Sequence, residues 1–138
     1  MDITISEKQG SVPVSVLALR GALDGSSYEK FSAEVQKLYD AGTRNLLLDM
    51  TELTFLSSAG IAALHRTARV FRGEDRSTFD EGWAAMRAIG NEREGGYTVQ
   101  KHVKLLNPSE RIQDVLDTVG FKAFFEIHTD MAMAVASF

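Results

Sequence analysis

A chain of 138 residues, 44% hydrophobic and 25% charged, has the make-up of one water-soluble globular domain spanning 1–138. It has no cysteine, which excludes disulfides and thiolate or zinc–sulfur chemistry, and its formal charge of −4 at pH 7 argues against a nucleic-acid-binding face. No run approaches the roughly 18 apolar residues of a membrane span, and the opening MDITISEKQG carries an acid at once with no apolar core, unlike a secretory leader. The expectation is a cytoplasmic protein without direct membrane insertion.

In chain order, DITIS (2–6) and VPVSVLALRG (12–21) alternate or run apolar, with Gly10 and Ser11 between them, and predict two strands joined by a turn. Pro13 heads the second, where a missing amide costs least. Tyr28, Phe31, Val35 and Leu38 then form one helical stripe, with Ser26 and Glu29 as a capping box and Gly42 as the stop. NLLLDM (45–50) is continuously apolar, the pattern of a strand covered on both faces, and Asp49 at its end is suited to tie down the following turn. A second helix carries Ile61, Leu64, Ala68 and Phe71. HVKLLN (102–107) predicts a short strand. It is followed by a helix capped at Asn107, with Pro108 in its first position, Glu110 completing the box and Gly120 ending it. Ile112, Val115, Leu116 and Val119 form that helix's inner face. AFFEIHT (123–129) predicts a last strand, and Met131, Val135 and Phe138 a final helical turn or two. The order β-β-α-β-α…β-α-β-α predicts an open α/β sheet of about five strands with four helices, mixed at its start and parallel after.

Residues 73–100 break this pattern, being charged and glycine-rich at both ends. Ser77 as cap and Phe79, Trp83 and Met86 at i, i+4 and i+7 predict an inserted amphipathic helix around 77–90, packed as a small local core or offered as a docking stripe.

The stretch DMTELTFLSSAGIAALHRTARV (49–70) places two hydroxyls and four small residues where a strand hands over to a helix. A helix start offers unpaired amides and the positive end of a dipole, and in open α/β sheets partners meet the carboxyl ends of the strands. A serine there caps the helix or carries a phosphate. Ala59, Gly60, Ala62 and Ala63 are small enough to let another protein approach the backbone.

LRGALDGSS, followed by LLLDMTELTFLSSAGIAAL, resembles the STAS domain, found in bacterial anti-sigma factor antagonists and in the cytoplasmic tails of sulfate transporters. Gly21, Leu23 and Asp24 match that family's first element; Asp49, Leu53, Phe55, Ser58, Gly60, Ile61 and Leu64 match its second. VKLLNPSERIQDVLDTVGF matches a later strand and helix more loosely. The resemblance covers about 1–72 and 101–138. It implies a non-catalytic domain that needs no cofactor and binds a protein partner, an anti-sigma factor of serine-kinase type, around Asp24 and Leu56, Ser57, Ser58, Ala59, Gly60, Ile61 and Ala62. In the family a phosphate on a serine at the helix start blocks docking by placing nearly −2 of charge there. Here Ala59 occupies that position, Ser58 matches the serine before it, and Ser57 stands where the family has aspartate. Three readings are open: phosphorylation at Ser58 or Ser57 instead, an antagonist or scaffold that is never phosphorylated, or a different partner. Rival functions are a cytosolic STAS subunit of a membrane transport or signalling assembly, and a nucleotide-binding module using the helix start. His65, His102 and His128 show no metal-ligand spacing, and no nucleophile or phosphate-loop motif occurs. The oligomeric state is not legible in the sequence.

Overall fold

The computed structural model describes residues 1–73 and 99–138, so the helix expected around 77–90, with Phe79, Trp83 and Met86, lies outside the described residues. The described elements are β1 (Asp2–Gln9), β2 (Pro13–Leu23), α1 (Tyr28–Asp40), β3 (Leu46–Leu56), α2 (Ser58–Phe71), β4 (Val103–Leu106), α3 (Glu110–Thr118), α4 (Phe121–Phe124), β5 (Ile127–His128) and α5 (Met131–Ala136). They form a mixed α/β fold around one five-stranded sheet ordered β1-β2-β3-β4-β5. β1 runs antiparallel to β2, and every later pairing is parallel.

Alternation along the strands divides the interior in two. Leu17 and Leu19 of β2, Leu46, Leu48 and Met50 of β3, and Val103 and Leu105 of β4 face α1 to α4 in the main core. Val14, Val16, Leu47 and Leu106 face the other way, where Ala134 and Val135 of α5 cover them in a separate cluster. This is why Leu46, Leu47 and Leu48 can all be fully buried in succession.

Four local expectations need correction. Ser27 rather than Ser26 takes the N-cap position of α1, with its hydroxyl donating to the Ala22 carbonyl (2.7 Å) instead of capping the helix, while the Ser26 amide and hydroxyl both turn back to Asp24. β3 continues past Asp49 to Leu56. Two residues of β3 oppose one of β2 between the Ala18–Asp49 and Arg20–Glu52 pairs, making a bulge in which Asp49 accepts from the Thr51 amide (3.0 Å) and hydroxyl (2.6 Å). The cap of α3 is Ser109, which accepts from the Ile112 amide at 3.2 Å. Asn107 instead sits at φ +55, and its amide closes β4 against the His128 carbonyl at 2.7 Å. Finally, the last strand is only Ile127–His128. Gly120 at φ +83 ends α3, a conformation costly to any residue with a Cβ, and the chain takes another helical turn, α4. Phe121, Phe124 and Phe125 then meet at 4.9–5.4 Å between ring centroids, all nearly inaccessible. Their i, i+3, i+4 spacing is helical, a signal missed when the segment is read from Ala123 onward.

Candidate functional site

The site is assembled where β2 and β3 end side by side, with Leu23 opposite Leu56. The Ser57 amide donates to the Leu23 carbonyl at 3.0 Å, tying the start of α2 to the turn that leads from β2 into α1. Gly60 seals this joint. A Cβ there would lie 2.5 Å from the Leu23 oxygen and 2.8 Å from Leu56 Cδ1, so only glycine lets α2 approach this closely.

Asp24 anchors the turn beside it. Its Oδ1 accepts from the Ser26 hydroxyl (2.6 Å) and amide (2.9 Å) and from the Ser27 hydroxyl (3.3 Å), and its own amide donates to Ser27 Oγ at 3.0 Å. The Ser26 hydroxyl and then the Ser26 amide, hydrogen-bonding to the charged form, hold the carboxyl below the ordinary aspartate value. It is a turn aspartate bonded to its own backbone and also a fixed negative charge at the sheet end. No described bond occupies its second oxygen.

At the start of α2 the two serines divide the work. Ser57 is extended (φ −92, ψ 177) and half-buried, and its hydroxyl caps the helix by accepting from the Gly60 amide at 3.3 Å. Ser58, one residue into the helix, is exposed. Ala59 is half-buried, whereas Leu56, Gly60, Ile61 and Ala62 lie in the interior. The expectation that small residues throughout 59–63 open the backbone to a partner is therefore corrected: Gly60, Ala62 and Ala63 are small because they pack inward. The surface consists of Asp24, Ser57, Ser58 and Ala59, with Phe55 beside them, half exposed at the end of β3. From sequence Phe55 is a motif match but not one of the expected docking residues; its signal is an apolar side chain at the outward register of a strand end.

The other candidates do not converge. His65 is buried against the Phe124 ring, with centroids 5.9 Å apart; His102 Nδ1 lies 3.0 Å from Asn45 Oδ1, and His128 Nε2 lies 2.8 Å from Glu126 Oε1. Among the described residues no three acids or histidines form a metal-binding group, and no helix is long and apolar enough to cross a membrane. Cavities of about 110 and 440 Å³ open elsewhere. The smaller is lined mostly by polar residues of β1, β2 and β3, including Arg20 and Glu52; the larger lies near Ser15 and Thr43.

The family model described as "Mlab, STAS domain" matches residues 7–78, just over half of the chain. Along its whole length the chain is 22% identical to BtrV of Bordetella bronchiseptica, a protein that bears the name of an anti-sigma factor antagonist and is covered over 95% of its length. An anti-sigma factor antagonist from Mycobacterium paratuberculosis superimposes with a TM-score of 0.66 at 13% identity, covering 99% of this chain and 93% of that one. The phosphorylated form of the Bacillus cell fate determinant SpoIIAA superimposes with a TM-score of 0.54 at 17% identity, covering 97% and 96%. With its β2 turn, β3 and its serine-capped α2 all within the matched segment, this chain belongs to the STAS domain family, on the fold of the anti-sigma factor antagonists.

Proposed function

We propose that this protein is a non-enzymatic cytoplasmic regulator that binds a protein partner, an anti-sigma factor of serine-kinase type, with residues 1–138 acting as one unit. Docking centres on Asp24, Phe55, Ser57, Ser58 and Ala59. The observation that carries the reading is the bond from the Ser57 amide to the Leu23 carbonyl, which joins the Asp24 turn and the start of α2 into one surface. On that surface Phe55 supplies apolar contact, Asp24 a fixed acceptor, and exposed Ser58 a place where added charge would repel. Ala59 has no hydroxyl, so the charge switch is absent from its usual place and the protein acts as a standing antagonist.

The test is affinity capture from native lysate, with mass spectrometry of both the captured protein and this chain. The expected result is a kinase-like partner, lost by more than tenfold in Phe55→Ala and Ser58→Glu variants that remain folded, and an unshifted mass for the wild type. Ala59→Ser, coexpressed with the partner, is expected to gain one phosphate and release it. A phosphate on wild-type Ser58 or Ser57 would replace the standing antagonist with a displaced switch. The missing hydroxyl at position 59 also suits a second reading, a subunit of a membrane transport assembly that needs no switch; copurification with an ABC-type ATPase would select it. A thermal shift with ATP or GTP would instead favour nucleotide binding.

A further inference from the structure

Helix α5 has six residues, too few to hold together by its own hydrogen bonds, so its docking maintains it. Its apolar contacts belong to the smaller cluster with Val14, Val16, Leu47 and Leu106, which is separate from the main core. A lysine lies beneath it. Lys104 of β4 is 4% exposed, and burying an ammonium is costly unless each of its donors is met. Here all three are. Nζ donates to the Ser137 carbonyl and to Ser137 Oγ, both at 2.9 Å, and pairs with Glu126 Oε2 at 3.3 Å; it also sits 4.8 Å from the centroid of the Phe138 ring. His128 Nε2 closes the cluster, 2.8 Å from Glu126 Oε1 and 3.3 Å from Ser137 Oγ. At the other side the β1–β2 turn presses on the same helix: a Cβ on Gly10 would lie 2.7 Å from the Val135 oxygen.

We propose that residues 129–138 form a strap that opens from the sheet as a unit while the rest of the molecule stays folded, and that Lys104 is the lock that keeps it closed. Opening removes Ala134 and Val135 from the smaller cluster only. It breaks the two Lys104 bonds to Ser137, for which water substitutes at once, and leaves the Glu126 pair within the sheet. The main core loses nothing. Such a division between a cheap local opening and a costly global one is the general pattern of segments that rest on a cluster of their own. The open form bares Val14, Val16, Leu47 and Leu106.

Hydrogen exchange of the full chain, read by mass spectrometry on peptides covering 130–138 and 46–50, tests this. In the wild type the strap is expected to exchange at least tenfold faster than β3. Lys104→Met keeps the length and apolar body of the side chain but removes the donors, and is expected to speed exchange in 130–138 a further tenfold while 46–50 is unchanged. Gly10→Ala displaces the strap without touching the lock and is expected to act in the same direction; it carries the strap test if Lys104→Met does not fold. Equal protection of the two segments, or parallel acceleration of both in either variant, overturns the strap. An unchanged 130–138 in Lys104→Met overturns the lock.

Discussion

Leu47 and Leu48 are neighbours in β3, both fully buried, yet they belong to different cores. Leu48 faces four helices and the Phe121–Phe124–Phe125 cluster. Leu47 faces one short helix held down by a lysine, and beyond that helix the same side of the sheet is polar, with Thr4, Arg20, Asp49 and Glu52 around a small open cavity. The contrast teaches that one strand pattern supports both a permanent core and a conditional one. The difference lies in what each face is covered by, and the candidate docking surface is attached to the permanent side.

The comparison is broken most directly by truncating each leucine. Leu48→Ala is expected to cost about 3–4 kcal/mol of global stability, read as a shift of the denaturation midpoint. Leu47→Ala is expected to cost about 2 kcal/mol, because α5 can settle into the space. If Leu47→Ala costs as much as Leu48→Ala, the two faces are one cooperative core. Gly60→Ala tests the density of the permanent side. The helical preference for alanine, about 1 kcal/mol, is outweighed by a methyl placed against a backbone oxygen, for a net loss of about 2 kcal/mol by chemical denaturation. An increase in stability would mean that the joint between Leu23 and α2 is loose.

Substituting the serines sharpens the picture of the α2 start. Ser57→Ala removes the cap and is expected to cost about 1 kcal/mol, whereas Ser58→Ala is expected to change thermal stability by less than about 0.5 kcal/mol. Equal losses would show that Ser58 is bonded in solution.

The smallest effect is that of pH on the conditional face. Burial works to raise the Glu126 carboxyl, but hydrogen bonds from His128 and Lys104 and the Lys104 charge outweigh it and leave the group below its ordinary value. A depressed carboxyl stabilises the fold above its unfolded-state pKa, about 4.3, and that contribution is lost as pH falls through the lower folded value. Global stability, read as the denaturation midpoint, is therefore expected to fall slightly as pH drops below about 4, and Glu126→Gln should flatten that step. The groups that set it are Lys104 of β4 and His128 of β5, which meet the two oxygens of the Glu126 carboxylate.

Periodicity alone was enough for strands β1 to β4, the helices α1 to α3, and the inward stripes such as Phe31 with Val35 and Ile112 with Leu116, because burial must follow the 2.0 and 3.6 repeats of strand and helix. The motif around Asp24 and residues 57–60 was also legible, since small and hydroxyl-bearing residues at a strand–helix joint stand out against apolar surroundings. Which residue takes the N-cap position was not: Ser26 and Ser27, or Asn107 and Ser109, offer the same chemistry within two residues, and the choice depends on where the incoming strand delivers the chain. Only the tertiary structure decided that Gly60 and Ala62 face inward while Ser58 and Phe55 face solvent, and that Lys104, an ordinary strand lysine in sequence, has its charge met by Glu126 and Ser137, which are close to each other but far along the chain from it. A linear pattern records which residues share a face. It does not record what the fold lays over that face, because the covering elements come from distant parts of the chain.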